Sequence, residues 1–313
     1  MNNPLQTIRL EIQNPFSMKE QLKFWKRTHR ILLNQKEGGW GQVRHAVWVD
    51  YIYHPGESVK VYLTLEKNAY ESFHSLLYPK GKRRRKSDVI IHEVSSSELE
   101  LSAKVSICEL KLAYENLFAL GGDSPVQLPG QISLVPGECA RISFCFIPIQ
   151  GEEWDTAILK KKMEGGQKER RQVVSQTGWV RYILYFINAM LQRFLFRDNK
   201  GTVDQPWLSG ETLQKLNDSY FKSYIRLAAP QHLLPKLARP FLTREGENQL
   251  IIHFLPRKEQ KASLKEINKL RIGLYSRSDL NPNILGCKEI SQLLPLLNKK
   301  LNSTSSEARP NLG

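Results

Sequence analysis

Residues 1–97 switch hydrophobic period between about two and about 3.6 in one particular order, and few folds accept that order. Thr7 to Gln13 (TIRLEIQ) alternates apolar and polar side chains, as a strand with one face in a core does. Ser17 stands three residues before Glu20, the spacing of a capping box. The helix it starts carries Leu22, Trp25, His29 and Leu32 on one face, and Gly38-Gly39 stops the pattern. His45 to Tyr53 (HAVWVDYIY) is β-branched and aromatic, so a strand is expected. The turn His54-Pro55-Gly56-Glu57 leads into a second strand, Val59 to Leu65 (VKVYLTL), making a hairpin. Asn68 to Tyr78 is a short helix with Tyr70, Phe73 and Leu77 on one side, ended by Pro79. Asp88 to Val94 (DVIIHEV) closes the series as a strand. The order β-α-β-β-α-β is that of the split βαβ, or ferredoxin-like, unit.

The pattern recurs with insertions over residues 98–272. Leu99 to Tyr114 is strand-like, and Leu117 to Leu134 is expected to hold a short helix among loops. Ala140 to Ile149 (ARISFCFIPI) is a strand, with Pro148 placing it near an edge or an end. A helical insertion follows over about 150–217, with a basic helix first and an apolar helix second. Phe221 to Ala228 resumes as a strand, Gln231 to Arg244 is helical with breaks at Pro235 and Pro240, and Gln249 to Leu255 is expected as the last core strand. Residues 273–301 form a C-terminal extension with a short helix, Cys287 to Leu294, and residues 302–313 have the composition of a disordered tail. The expected class is α+β: two ferredoxin-like units, the second interrupted by helices.

Charge narrows the choice of partner. Lys plus Arg number 46 against 31 Asp plus Glu, a net charge of +15. A surplus of that size favours an anionic partner, either nucleic acid or an acidic membrane surface. The four cysteines (Cys108, Cys139, Cys145 and Cys287) form no C-x-x-C pair and are expected as reduced structural thiols in a cytoplasmic setting. Met1 to Arg9 has no apolar signal-peptide core. The one long apolar run, Trp179 to Phe196, carries Arg181, Asn188, Gln192 and Arg193. It reads as a helix buried on most sides, with a membrane-surface helix and a true span as the other readings.

Catalytic patterns are missing where they would be expected. Gly81-Lys82 lacks the upstream glycine and the following Ser or Thr of a phosphate-binding loop, and neither G-x-G-x-x-G nor G-x-S-x-G occurs. The seven histidines show no H-x-x-x-H spacing, so neither a metal nor another cofactor is expected. Glu152, Glu153 and Asp155 beside Trp154 read as a solvated turn. Trp48, Tyr51, Tyr53 and Tyr62 on the central hairpin read as core and cross-strand pairs, because the two RNA-recognition strand signatures are missing.

Basic clusters carry the most distinctive chemistry. Lys82, Arg83, Arg84, Arg85 and Lys86 are five successive cations between a helix and a strand; they repel one another and belong on an exposed loop. A plain solvated loop and a contact with nucleic acid or acidic lipid are both open there. Lys160, Lys161 and Lys162, with Lys168, Arg170 and Arg171, make a second cluster. Lys258, Lys261, Lys265 and Lys269 make a third on one helical face. Contacts from such groups go to phosphate and do not read base sequence.

Several segments, in their order, resemble the region before the motor domain in conjugative coupling ATPases of type IV secretion systems. They are IRLEIQ, then VKVYLTLEKNAYESFHSLLYP with VIIHEV, then LVPGECARISFCFIPIQGEEW, then FKSYIRLAAP with QLIIHFLPR, and finally ILGCKEISQLLPL. The resemblance covers about residues 5–297. It implies an accessory or docking module that acts with a motor ATPase, or another secretion component, in trans. It implies no ATPase activity here, since the family's phosphate-binding loop has no counterpart in this sequence. The module would sit in the cytoplasm or at the inner face of the cytoplasmic membrane. Trp179, Ile183, Phe186 and Met190 of the apolar run are the candidate docking residues, and the basic clusters the candidate contacts to DNA or acidic lipid. No small-molecule substrate is expected. The alternatives are a basic nucleic-acid-binding protein of a mobile element and a CRISPR-type endoribonuclease built of two ferredoxin-like units. Gly246 and Gly273 do not make the glycine-rich loop that such an endoribonuclease uses to hold RNA.

Overall fold

The period-two segments pair into a single antiparallel sheet, seen in a computed structural model. It describes residues 5–12, 16–34, 46–77, 89–101, 105–114, 116, 118–121, 125–149, 210–243, 246–270 and 282–294. In chain order the elements are β1 (Leu5–Ile12), α1 (Met18–Asn34), β2 (Val47–Tyr53), β3 (Lys60–Glu66), α2 (Lys67–Leu77) and β4 (Val89–Val94). A 3-10 turn (Ser96–Leu99) precedes β5 (Ser106–Leu112) and β6 (Ala140–Pro148). Then come α3 (Gly210–Lys215), β7 (Tyr220–Ala229), α4 (Leu234–Leu242), β8 (Leu250–Phe254), α5 (Arg257–Lys269), β9 (Asn283–Gly286) and α6 (Cys287–Leu293). The class is α+β.

The sheet runs β4-β1-β3-β2-β6-β7-β5-β8. Numbered within each half, both halves read 4-1-3-2, and they meet through their second strands: Val47 to Tyr53 of β2 pairs antiparallel with Phe146 to Ala140 of β6. The ten-residue β7 is long enough for two neighbours on one edge. Its second half pairs with β5 (Leu110↔Ile225 through Ser106↔Ala229), and its first half pairs with β9 (Tyr220↔Gly286 through Ser223↔Asn283).

Alternation gives the sheet two unlike faces. One is apolar and buries Ile8, Val49, Tyr51, Leu63, Leu110, Phe144, Phe146, Phe221 and Leu227. Helices α1, α2, α4 and α6 cover this face, through Trp25, Phe73, Leu237, Phe241 and Ile290 among others. Trp25 is 0% exposed and meets Phe24, Phe146 and Phe221 edge-on, at centroid distances of 5.4, 5.2 and 6.2 Å. Such ring pairs contribute beyond area burial. The opposite face is polar, bearing Thr7, Asp50, Thr64, Arg141, Ser143, Arg226 and Glu109, all buried. Over it lie α5 and the 3-10 turn, in two small apolar clusters: Leu101, Ile107, Ala228, Leu255 and Ile267, and Ile52, Tyr62, Leu99 and Leu270.

Several expectations change in detail. The strand-like stretch from Leu99 to Tyr114 is a 3-10 turn followed by the shorter β5. Ser95 caps the turn by accepting from the Ser97 N–H at 3.3 Å, which ends extended backbone there. No helix occurs among the described residues of 117–134. That segment instead sends Leu120, Val126, Leu128 and Ile132 into the core from irregular backbone. Gln249 to Leu255 is not the last strand, because β9 follows it. In α1 the inward face is Gln21, Phe24, Trp25, Thr28, His29 and Leu32, with Leu22 only half-buried.

Candidate functional site

The sequence places charge on helices, and the fold decides which charge meets solvent. Helix α5 begins after Pro256, where Gln260 Nε2 donates to the Leu255 carbonyl at 2.8 Å. Its inward side is Ser263, Glu266 and Ile267. Asn268 fixes its far end by exchanging two hydrogen bonds with Leu101: the Leu101 N–H donates to Oδ1 at 3.0 Å, and Nδ2 donates to the Leu101 carbonyl at 3.1 Å. Leu270 ends the helix in the left-handed region at φ 51°. With the helix so held, Arg257, Lys258, Lys261, Lys265 and Lys269 are all exposed. At about 100° per residue they share an arc of about 120°, and at about 1.5 Å per residue they span about 18 Å. No acidic side chain interrupts that arc, since Glu259 is half-buried and Glu266 turns inward. A row of point charges of this kind is able to pair with the phosphates of a polyanion.

Beneath α5 the sheet carries a chain of buried ion pairs. Arg226 Nε lies 3.2 Å from Glu109 Oε1, and its Nη2 lies 3.0 Å from Glu266 Oε2. Lys111 Nζ approaches the other oxygen of Glu109 at 3.6 Å. Glu266 therefore ties the exposed helix to the sheet by charge as well as by Ile267. At the junction of the two halves, Arg141 donates from Nε to Asp50 Oδ1 at 2.8 Å and from Nη1 to the Leu99 carbonyl at 2.7 Å. Both side chains are fully buried. Among the described residues Asp50 Oδ2 and Arg141 Nη2 find no hydrogen-bond partner.

A second cluster sits where the chain leaves β6 and returns at α3. Lys215 Nζ lies 3.1 Å from Glu289 Oε1 and donates to the Phe118 carbonyl at 3.1 Å. Burial pulls the Lys215 ammonium below its ordinary pKa, against the opposing pull of Glu289. Glu289 also accepts from the Leu120 N–H at 2.7 Å and from the Gly286 N–H at 2.8 Å. Asp218 accepts from the Lys288 N–H at 2.8 Å and pairs with Lys26 at 3.4 Å. His29 Nε2 lies 3.2 Å from the Ile149 carbonyl, and the His29 pKa is lowered by burial. Every one of these groups has a structural partner, so the cluster reads as a fastening between α1, α3, β7 and α6.

Helix α1 carries a second exposed basic face. Ser17 and Glu20 form the expected capping box: the Ser17 N–H donates to Glu20 Oε2 at 3.0 Å, and the Glu20 N–H donates to Ser17 Oγ at 3.4 Å. Lys19, Lys23, Lys26, Arg27 and Arg30 are exposed on the side away from Trp25. A helical wheel over 18–34 carries this face in the sequence itself. Of the clusters singled out in the sequence, Lys258, Lys261, Lys265 and Lys269 are the ones the structure describes. Lys82, Arg83, Arg84, Arg85 and Lys86, Lys160, Lys161 and Lys162, and Trp179, Ile183, Phe186 and Met190 all fall outside the described residues. The first group joins α2 to β4, an edge strand, and the other two lie between β6 and α3.

Among the described residues no group of three or more His, Cys, Asp or Glu is placed to hold a metal ion. Nor is any helix among them long and apolar enough to cross a membrane. Cys108, Cys145 and Cys287 are buried and Cys139 is half-buried, with no disulfide among the described residues. No protein-family model matches the chain, and no curated protein matches it.

Proposed function

We propose that this protein is a non-catalytic, nucleic-acid-binding scaffold of a type IV secretion or conjugative DNA-transfer apparatus, with a motor ATPase acting in trans. The observation that carries the reading is the unbroken cationic face of α5, held on the sheet by Glu266, Ile267 and Asn268. A row of lysines with no acidic side chain on the same face of its helix attracts phosphate regardless of base sequence, which suits a scaffold that handles any transferred DNA. The sheet is read as two ferredoxin-like units joined edge to edge, for which the repeated 4-1-3-2 strand order is the support. The secretion context rests on the resemblance of the ordered segments, and a peripheral position at the inner face of the cytoplasmic membrane belongs to that context. The loop Lys82 to Lys86 and the cluster Lys160 to Lys162 would add phosphate contacts, and Trp179, Ile183, Phe186 and Met190 would dock the motor.

The test is a salt titration of duplex DNA binding by fluorescence anisotropy. Replacing Lys258, Lys261, Lys265 and Lys269 with Gln should weaken binding and flatten the slope of log K against log salt by roughly 3 to 4. An unchanged slope overturns the role of α5. Sequencing the flanking DNA tests the context: a neighbouring frame encoding G-x-x-x-x-G-K-[ST] without its own front region supports a motor in trans. Neighbours unrelated to secretion remove that support.

A further inference from the structure

We propose that two copies of this chain join edge to edge through β8, antiparallel about a two-fold axis at Ile252. The strand is one of the two ends of the sheet. On its inner side, the Ala113 N–H just past β5 donates to the Gln249 carbonyl at 2.9 Å. Backbone direction alternates along a strand, so Ile251 and His253 also turn their amides and carbonyls toward β5. Leu250, Ile252 and Phe254 then turn theirs outward. Asn248 points the same way at the start of the strand, where its N–H donates to the Ala119 carbonyl at 3.0 Å. Past that contact, no segment among the described residues pairs with the outer side of β8. The side chains are open as well: Phe254 is 57% exposed and Ile251 is 44% exposed.

The two edges of the sheet are protected unequally. Strand β4 carries the exposed Glu93, and His92 beside it lies 3.4 Å from Glu11. Charge of that kind blunts an edge. From Gln249 to Pro256 (QLIIHFLP) there is no Lys, Arg, Asp or Glu, so β8 lacks this protection. Its own sequence suits a second copy. Pairing about Ile252 sets Leu250 opposite the partner's Phe254, and Ile252 opposite the partner's Ile252, on the apolar face of the sheet. Ile251 meets the partner's His253 on the other face. At each end Glu247, which also accepts from Thr212 Oγ1, comes into register with the partner's Arg257, an opposite-charge pair that the symmetry makes twice. Directly opposed side chains share a face, so both copies present α5 on the same side of one continuous sheet. A five-residue edge is short beside a permanent interface, and two chains of net charge +15 repel. The dimer is therefore weak, with a dissociation constant on the order of 10–100 μM, and salt strengthens it by screening the repulsion.

The experiment is sedimentation equilibrium of the full chain up to about 200 μM, at low and at raised salt. The expected result is a reversible monomer–dimer equilibrium that tightens as salt rises. Ile252→Pro removes an outward N–H and leaves the bonds to β5 in place, since proline is accepted on an edge strand where the N–H faces solvent. Phe254→Lys puts a cation at an exposed site opposite the partner's Leu250. Each should weaken the dimer about tenfold or more, with circular dichroism establishing that both fold. Val135→Lys, at a 59% exposed site on the turn before the central strand β6, should leave it unchanged. Cysteines read the register in a Cys139→Ser background. Ile252→Cys should form an intermolecular disulfide on mild oxidation, because Cα atoms about 5.5 Å apart are within reach of one. His253→Cys should not, because its two copies lie two residues out of register, more than about 7 Å apart. A chain that stays monomeric to about 200 μM leaves the edge to a different extended peptide and overturns the proposal. A dimer that both edge variants keep, or a disulfide at 253 in place of 252, overturns it also.

Discussion

The Asp50–Arg141 pair at the junction of the two halves supports a sharp test of what holds the sheet together. The two residues face each other diagonally across β2 and β6, since Asp50 is opposite Ser143 and Ile52 is opposite Arg141. Each side chain is 0% exposed. Arg141→Met alone leaves a buried carboxylate with no cation and the Leu99 carbonyl with no guanidinium donor. Asp50→Leu alone leaves a buried guanidinium with one fixed acceptor. Breaking a buried pair from one side costs about 3–5 kcal/mol, against about 5–15 kcal/mol for the stability of a whole domain. The double variant removes both desolvated ions, with the two atoms that lack a partner among the described residues, Asp50 Oδ2 and Arg141 Nη2, and loses the hydrogen bond to Leu99. It should lie within about 2 kcal/mol of wild type, so the cycle should show coupling of about 4 kcal/mol or more. Urea unfolding followed by tryptophan fluorescence provides the four stabilities. Additive single variants, or single costs below about 1 kcal/mol, would refute the view that the junction depends on a matched charge pair.

Alkaline pH should unfold the protein through its tyrosines. Burial raises the pKa of Tyr51, Tyr53 and Tyr220, and it pushes Tyr62 up to about 12, helped by the neighbouring Glu98 carboxylate. A folded pKa above the unfolded 10.0 means that the unfolded chain ionises first, so stability is complete below pH 10 and falls as pH rises toward 12. Absorbance at the phenolate band should rise together with loss of the circular dichroism signal; smooth titration of all tyrosines in a folded chain would contradict this. Thiol labelling should divide the cysteines, with Cys139 reacting quickly and Cys108, Cys145 and Cys287 slowly. Burial, aided by the adjacent Glu109, holds the Cys108 thiol up at about 12, so little of the reactive thiolate exists near neutrality. Fast reaction of all four in the native protein would place them outside the core described above.

What the sequence disclosed depended on how far each feature was governed by local period. The capping box at Ser17 and Glu20, the strands of the first half and the lysine row of α5 follow directly from spacing, and the structure contains them. Asp50 and Arg141 were visible as lone opposite charges within the apolar strands HAVWVDYIY and ARISFCFIPI. Only the pairing of β2 with β6, a contact between distant parts of the chain, shows that they meet. Strand β9 has only the four residues NILG, too few to display a period of two, and it forms because half the edge of β7 is left free by β5. The absence of a helix among the described residues of 117–134 is likewise a matter of tertiary context. Leu120 bridges Asn248 in parallel, and the Val126 N–H donates to the Gln292 carbonyl at 2.8 Å, so this backbone is paired with distant segments. On α1, attention to the apolar stripe hid the basic one, although both follow from the same periodicity.

The placement of β9 and α6 has a mechanical consequence. A pull applied at Leu294 acts on a helix whose residues Cys287, Glu289, Ile290, Ser291, Gln292 and Leu293 are buried. Glu289 is clamped at once by Lys215, the Leu120 N–H and the Gly286 N–H. Behind the helix, β9 is stitched to the first half of β7, and the second half of that strand holds β5. A pull at Leu294 therefore meets the buried face of α6, the Glu289 clamp and the β9–β7 pairing in turn, and that path leads into the middle of the sheet and not to its edge.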